Sequence, residues 1–240
     1  MSNWGRISEV DPYNDASWRS RFFLTVDADW APDFVIEESL KFLSQFGIPT
    51  TWFVTHDTIV LDDVNPEEIE LGLHPNFSPL IMNPDGKTNG EDILRTAKLM
   101  VPSATSFRNH SLVQSSPLLD LFQKFGFTHE CNLLLPHTAV SAIQPWLHWN
   151  GIVRVPHCWE DDVWVLGGCR DLSEIVRPGL AGITVLDIHP IHIYLNTSNW
   201  DIYKSSIEFV NDQSRMDEVR LKSVGHGVRT VVEQMLEGNV

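Results

Sequence analysis

The hydrophobic pattern alternates between short apolar runs and longer stretches with helical spacing. Runs typical of buried strands occupy residues 21–27, 50–54, 70–74, 103–107, 127–132, 152–155 and 182–188. Each run is bounded by polar residues, glycine or proline, as strand ends usually are. The pattern therefore predicts a sheet of about seven strands joined by helical connections.

Helical spacing follows several of these strands. The segment Ala31-Pro32-Asp33 is typical of a helix start, and the helix carries Val35, Ile36, Leu40, Leu43 and Phe46 at helical spacing before Gly47-Ile48-Pro49. Further helices are predicted over residues 91–100 and 117–125, and a closing helix runs from Arg220 or Gly227 to Leu236. Strand–helix alternation favours parallel β/α units in an α/β single domain, a size that one such domain commonly has.

Polar side chains of catalytic type gather where the predicted strands end. In a barrel of parallel units the chemistry lies at the carboxyl ends of the strands. The residues at or just after those ends are Asp27, Asp29, His56, His74, Arg108, His110 and His189. We therefore expect a functional site on this rim.

Two carboxylates stand close together in Thr25-Val26-Asp27-Ala28-Asp29. Side chains two apart in a strand point to the same face, so we expect Asp27 and Asp29 to converge at the strand end. Close, buried carboxylates repel each other unless a metal ion or a shared proton relieves them. The alternative is a helix-start signal, which is less favoured because Ala31-Pro32-Asp33 already supplies one.

Composition narrows the classes of partner. A formal net charge of −15 argues against nucleic acid and anionic membrane surfaces. Cys131, Cys158 and Cys169 show no paired spacing, so neither a disulfide framework nor a zinc knuckle is indicated. No apolar run approaches the roughly 20 residues of a membrane span, and no signal-peptide pattern is seen. We expect a cytoplasmic protein, with its oligomeric state left open.

The first motif resembles that of the polysaccharide deacetylases of the NodB-homology type, carbohydrate esterase family four. Their first motif, Thr-Phe-Asp-Asp-Gly, has variants with one residue between the aspartates, and Thr25-Val26-Asp27-Ala28-Asp29 is similar to that variant. The resemblance implies that Asp27 is a general base and Asp29 a metal ligand. It also implies a distorted, incomplete (β/α)7-type barrel. The domain would comprise residues 1–240, with motifs over about 20–195 and helical closure over about 200–240.

The second and third motifs match only in part. His74 stands where the family has its first histidine ligand, and Ser78 stands where the second histidine is usual. In the third motif, Arg108 matches the arginine that pairs with the base aspartate. His110 replaces the usual proline, and by this resemblance it is the candidate for the missing ligand.

The last motifs lie near residues 156–162 and 185–190. The segment from Pro156 to Asp162 is similar in character to the family's Asp-containing loop beside a tryptophan. In Val185-Leu186-Asp187-Ile188-His189-Pro190, His189 matches the family's general acid, with His192 as a competitor that is otherwise structural. The pattern is most similar to the deacetylase-like group of O-antigen-type biosynthesis.

The resemblance implies a metal-dependent hydrolytic N-deacetylase that acts on an acetamido sugar in bacterial surface-polysaccharide biosynthesis. The sugar would be presented as a sugar nucleotide, a lipid-linked sugar or a polymer. A divalent metal ion is implied, with zinc favoured and cobalt, nickel or iron as alternatives. One alternative function is a catalytically silent sugar-binding protein of the same fold, and another is an amide hydrolase for a non-sugar substrate.

Four further residues near the motifs are candidates for substrate contact: His56, Trp30, Trp159 and Asp162. His56 is equally well interpreted as structural, and tryptophans are more often core residues. Asp161 and Asp162 fit a solvated loop equally well.

Overall fold

Strand pairing confirms the parallel sheet that the alternating pattern predicts. The computed structural model describes residues 3–82, 88–136, 139, 142–169 and 182–238. In these ranges ten strands join one sheet. They are β1 Trp4–Gly5, β2 Phe22–Asp27, β3 Thr50–Val54, β4 Ile69–Leu73, β5 Ser106–Phe107, β6 His129–Glu130, β7 Trp146–Leu147, β8 Val153–Arg154, β9 Trp159–Glu160 and β10 Thr184–Ile188.

The order of the strands is that of an open, curled barrel. It runs β7-β8-β6-β5-β4-β3-β2-β10-β9, with β1 paired beside β2. Every pair is parallel except β7 with β8, which is antiparallel. Among the described residues, strands β7 and β9 form the two ends of this path and do not pair with each other, so the barrel is incomplete. The predicted fold class, a distorted (β/α) barrel in a single domain, is confirmed.

Helices cover the sheet, and four of them follow its last strand. In the described residues they are α1 Asp15–Trp18, α2 Asp33–Ser44, α3 Ser78–Met82, α4 Gly90–Met100, α5 Ser116–Lys124, α6 Asp161–Leu166, α7 Pro190–Leu195, α8 Trp200–Ile207, α9 Gln213–Lys222 and α10 Val228–Leu236. Of the two predicted starts of the closing helix, Gly227 is correct because it is the N-cap of α10, whereas Arg220 lies within α9. No helix among the described residues has the length and apolar character that crossing a bilayer requires.

The core lies between the central strands and α2. Strand β3 is buried at every position, as is β10. Helix α2 buries Val35, Ile36, Phe42 and Leu43 and packs against α7. The apolar runs that the sequence shows at these strands are therefore runs that are covered on both faces, as parallel sheets require.

Several predicted strands are shorter than their apolar runs. The predicted strands 103–107, 127–132 and 152–155 reduce to β5, β6 and β8, with two residues each. The flanking residues lie outside the ladder, and among them Phe127, Ile152 and Val155 are still buried in the core. Strands β1, β7 and β9 were not predicted, because two residues carry no periodicity.

Gly72 permits the close packing of β4 against its neighbours. A Cβ at this position would lie 2.6 Å from a ring carbon of Phe53 and 2.7 Å from Oγ of Ser106. These contacts are far inside van der Waals distance, and both neighbours are themselves buried. Gly72 therefore keeps β4, and the histidine that follows it, in register with β3 and β5.

We expect Gly72→Ala to lower the free energy of unfolding by about 1–3 kcal/mol, because the added methyl overpacks the core. Urea denaturation followed by circular dichroism measures the change. Gly90→Ala is the matched control, since its Cβ would approach only flexible leucine side chains, the nearest at 3.3 Å. An equal effect of the two substitutions would contradict this account of β4.

Candidate active site

A fully buried guanidinium lies at the carboxyl ends of four strands. Arg108, just after β5, has no exposed surface. Its Nη1 donates to Oδ1 of Asp27 at 2.9 Å and also to Oδ1 of Asp187, and its Nε donates to the carbonyl of Cys131 at 3.0 Å. Burial opposes the charge, but the two carboxylates raise the pKa of Arg108. The side chain is therefore a fixed positive charge at the base of the rim.

Asp187 is a member of this cluster that the sequence did not single out. It is the penultimate residue of β10, where Thr25 donates to its Oδ1 at 2.8 Å. Burial raises the pKa of Asp187, and it raises that of Asp27 even though Arg108 opposes the shift. One guanidinium shared by two buried carboxylates leaves an excess negative charge. The signal that could have found Asp187 is an acidic residue inside an otherwise apolar run.

Asp29, His74 and His110 form a second cluster beside the first. Oδ1 of Asp29 lies 3.1 Å from Nε2 of His74 and 3.1 Å from Nδ1 of His110. Burial would raise the pKa of Asp29, but the hydrogen bond to His110 and the contacts with His74 outweigh it, so the pKa is lowered. One atom from each residue lies within 4.8 Å of the others, a spacing that a metal ion can bridge.

The two aspartates reach this rim differently from the expectation. Strand β2 ends at Asp27, and Asp29 has a left-handed backbone with φ of 42°. Trp30 is also left-handed, with φ of 54°. The two carboxylates converge on one cavity as expected, but a turn rather than the strand pleat aims Asp29 at it. Such residues cost of order 1–3 kcal/mol each and occur mainly where surrounding structure and function hold them.

The second cluster fits a divalent metal ion. His74 has 2% of its surface exposed, and its ring nitrogens face carboxylate oxygens of Asp29 and Asp27, at 3.1 Å and 3.5 Å, without the geometry of a hydrogen bond. A buried imidazole nitrogen that faces a carboxylate in this way is a suitable metal ligand, because a cation between the two groups can bind both. One carboxylate with two histidines is also a donor set that catalytic zinc sites use. Asp29, His74 and His110 are thus one set of side chains that could hold such an ion.

His189 faces the same cavity and is held by Asp161. Its ring Nδ1 lies 2.7 Å from Oδ1 of Asp161, and its backbone N–H donates to Oδ2 at 2.7 Å. Nε2 of His189 is 3.6 Å from Oδ2 of Asp29. Burial would lower the pKa of His189, but the charge and hydrogen bond of Asp161 raise it well above its ordinary value. The ring is therefore oriented to present a proton at Nε2.

Asp161 is not part of a solvated loop. It is fully buried at the start of α6, whereas the adjacent Asp162 lies at the cavity. Oδ1 of Asp162 accepts a hydrogen bond from Nε2 of His192. His192, the competitor for the acid role, is buried and in contact with this residue of the rim.

The other predicted residues lie at different depths. Trp30 is 46% exposed and packs edge-on against His110, with ring centroids 5.0 Å apart. His56 bonds to Thr55 and does not line the cavity, and Trp159 is buried in the core away from the lining. Ser78 begins α3, where its N–H donates to Asn76, and it lies outside the Asp29 cluster. The substrate-contact predictions for His56 and Trp159 find no support in this placement.

These side chains enclose one small cavity of about 100 Å³. Its lining includes Asp27, Asp29, His74, Asn109, His110, Ser111, Leu112, Glu160, Asp162, Asp187 and His189. Three kinds of group thus face the same space: a carboxylate paired with arginine, a candidate metal cluster and a histidine held by a carboxylate. That combination suits hydrolysis of a carbonyl compound by an activated water.

Comparison with known proteins agrees with this chemistry. The family model described as WbmS-like polysaccharide deacetylase matches residues 24–207. The crystal structure of a proposed polysaccharide deacetylase involved in O-antigen biosynthesis, WbmS from Bordetella bronchiseptica, superposes with a TM-score of 0.91 at 38% identity. That alignment covers 99% of this chain and 98% of that one. No curated protein compared with the chain matches it.

More distant solved structures are similar over much of the chain. A proposed polysaccharide deacetylase from Mycobacterium smegmatis has 15% identity and a TM-score of 0.42, covering 86% of this chain and 92% of that one. A family 4 carbohydrate esterase from Streptomyces lividans in complex with acetate has 16% identity and a TM-score of 0.41, covering 70% and 78%. Similarity at this level supports no conclusion about this chain.

We expect His110→Ala and His74→Ala each to weaken zinc binding by more than about 100-fold, because each removes a direct ligand. Loss of a residue that only hydrogen-bonds to a ligand costs roughly 10–100-fold. Calorimetric titration of metal-free protein with zinc measures the affinity. Ser78→Ala is the control, since the serine at the family's second histidine position lies outside the cluster. Weakened binding in Ser78→Ala together with unchanged binding in His110→Ala would overturn the ligand assignment.

We expect Arg108→Met to lower the free energy of unfolding by about 3–5 kcal/mol, because Asp27 and Asp187 would remain buried without their partner. Chemical denaturation measures the change. Arg95→Met is the matched control, because Arg95 forms an exposed pair with Glu91 and its loss should cost at most about 1 kcal/mol. Similar losses in the two variants would show that the buried pairing does not stabilise the rim.

Proposed function

The chain belongs to the WbmS-like polysaccharide deacetylase family, and from that premise we propose that it removes the acetyl group of an acetamido sugar by metal-dependent hydrolysis. The proposal places this reaction in the synthesis of a bacterial surface polysaccharide of the O-antigen type. It is carried by one observation. The Asp29-His74-His110 cluster, the Arg108-paired Asp27 and the Asp161-held His189 all line one cavity.

The metal ion has a defined place in this proposal. Asp29, His74 and His110 would hold it, with zinc favoured over cobalt, nickel or iron because carboxylate and imidazole ligands suit zinc well. When bound, such an ion acts as a Lewis acid that polarises the acetamido carbonyl and acidifies water. The buried nitrogens of His74, which face the carboxylates of Asp29 and Asp27 without hydrogen-bond geometry, support this ligand set.

Asp27 is proposed as the general base. Its Oδ1 is engaged by Arg108, which fixes the carboxylate and leaves Oδ2 facing the cavity near His74 Nδ1 at 3.5 Å. Burial raises the pKa of Asp27, which makes it a stronger proton acceptor than an exposed aspartate. Oδ2 would accept a proton from the water that attacks the acetamido carbon.

His189 is proposed as the general acid. Asp161 holds Nδ1 and stabilises the imidazolium, so Nε2 donates its proton to the amide nitrogen as the carbon–nitrogen bond breaks. The products are acetate and the free sugar amine. In this proposal the two histidines beside Asp29 and the histidine beside Asp161 have separate roles, which their different partners support.

We expect metal-loaded protein to release acetate from an N-acetylhexosamine offered as a sugar nucleotide, a lipid-linked sugar or a polymer. Protein stripped by a chelator should lose this activity and regain it with zinc or cobalt. Enzyme-coupled detection of acetate measures the rate. Sugar binding without acetate release from any substrate would favour a catalytically silent sugar-binding protein. Release only from non-sugar amides would favour an amide hydrolase with a non-sugar substrate.

We expect His189→Gln to lower kcat by about 10²–10⁴-fold, because a glutamine cannot supply the proton that the leaving amine needs. Its zinc content, measured by mass spectrometry, should match that of the unaltered protein. A variant that keeps its full kcat would remove His189 from the acid role. A variant that loses the metal would instead reassign His189 as a ligand.

A further inference from the structure

Backbone strain is concentrated beside the candidate metal cluster. In the described part of the chain, seven non-glycine residues have a left-handed backbone. Four of these form the adjacent pairs Asp29-Trp30 and Ser111-Leu112. The second pair directly follows His110 and has φ values of 55° and 53°. A left-handed backbone is unfavourable for residues that carry a Cβ, so such a turn persists only where neighbouring contacts hold it.

The side chain of Asn109 closes the turn that follows it. Its Nδ2 donates to the carbonyl of Val113 at 2.7 Å, across the two left-handed residues. Its backbone carbonyl accepts a hydrogen bond from the N–H of Leu112 at 2.8 Å. The side-chain bond therefore joins the two ends of the turn and encloses His110, Ser111 and Leu112 between them.

Asn109 is itself held in place from behind. It has 1% of its surface exposed, and its backbone N–H donates to Oδ1 of Asn132 at 2.6 Å. The N–H of Asn132 in turn donates to Oε1 of Glu130 at 2.8 Å. Arg108, the preceding residue, is bound to carboxylates of two other strands. The chain that enters the turn is thus fixed, and the Asn109 side chain extends this fixed position to the turn.

The backbone of the turn sets the direction of the His110 ring. The N–H of His110 donates to the carbonyl of Pro75 at 3.1 Å, and its ring Nδ1 lies 3.1 Å from Oδ1 of Asp29. The His110 side chain is 28% exposed, and Trp30, which packs edge-on against it, is itself 46% exposed. Side-chain packing therefore leaves the ring room to turn, and its direction depends on the backbone that carries it.

The proposed reaction leaves Asn109 without a role, although this residue lines the cavity. Its buried Oδ1 makes no hydrogen bond within the described residues, which is unfavourable for a polar atom. In the same part of the chain, the bond to Val113 is the one hydrogen bond that the side chain makes. An apolar side chain would avoid the burial of Oδ1 but could not donate to Val113. The donor at Nδ2 is therefore what distinguishes an asparagine at this position.

We propose that Asn109 is a positioning residue for metal binding, whose side chain holds the left-handed turn and thereby keeps the His110 ring directed at an ion beside Asp29. The inference rests on the proposed function, because it concerns the same metal cluster. Asn109 binds neither the ion nor the substrate in this role and acts through His110. Residues that orient a metal ligand in this way typically change metal affinity by roughly 10–100-fold.

Calorimetric titration with zinc tests the proposal in four metal-free proteins: the unaltered chain, Asn109→Ala, His110→Ala and the double variant. We expect Asn109→Ala to weaken zinc binding by about 10–100-fold when His110 is present. In the His110→Ala background it should have no further effect, because the ring that it orients is gone. The visible absorption of cobalt-loaded Asn109→Ala should also differ from that of the unaltered protein, since these bands depend on ligand geometry.

A second substitution tests the turn itself. Ser111→Gly should restore part of the zinc affinity of Asn109→Ala, because glycine adopts a left-handed backbone readily and the turn then needs less support. Circular dichroism checks that each variant is folded, and this combined variant also serves if Asn109→Ala alone is not. Asn150→Ala is the matched control, since Asn150 also holds a turn, by accepting from the N–H of Ile152 at 3.2 Å, and lies outside the cavity lining. Its zinc affinity should be unchanged.

A merely structural role of Asn109 would lower zinc affinity equally with and without His110, and that result would overturn the proposal. Unchanged zinc affinity in Asn109→Ala would overturn it as well, and if His110→Ala still weakens binding, the ligand set of the proposed function survives. Unchanged zinc affinity in His110→Ala would instead reject that ligand set and the positioning role together.

Discussion

The buried guanidinium of Arg108 is the interaction on which the architecture of the site depends. It joins the end of β5 to Asp27 on β2, to Asp187 on β10 and to the backbone that follows β6. An arginine without exposed surface is tolerated only when its partners are well placed, because desolvating a charge costs several kcal/mol. The sheet must therefore curl enough for these strand ends to meet. That same curl brings His74, His110 and His189 to one cavity.

The two neighbouring aspartates of the site have different surroundings. Asp27 lies against arginine, and Asp29, on a left-handed turn, lies against histidines. Two carboxylates in different surroundings can perform different tasks, one in proton transfer and one in metal binding. The replacement of the family's second histidine by Ser78 does not leave the cluster short of a donor, since His110 approaches Asp29 from another strand end. Membership of the WbmS-like family is consistent with this arrangement.

Much of the fold was predictable because its central strands are long. Strands β2, β3, β4 and β10 are five or six residues long and mostly apolar, and the polar residues at their ends identified the rim. Asp187 was missed because a lone acidic residue inside a strand gives no indication of its partner. The contact of Asp161 with His189 joins residues 28 apart in sequence, and only the parallel pairing of β9 with β10 brings them together.

The central claim is that the metal belongs to Asp29, His74 and His110 while Asp27 stays free to move a proton. Asp27, Asp187 and His189 also have donor atoms close enough to hold one ion. The position of the bound ion therefore decides between the two sets of ligands. The most direct test is an anomalous-difference map from zinc-soaked crystals, collected on both sides of the zinc absorption edge. The account predicts one peak within bonding distance of Asp29, His74 and His110 and outside that distance from Asp27. A peak bonded to Asp27 and Asp187 would contradict it.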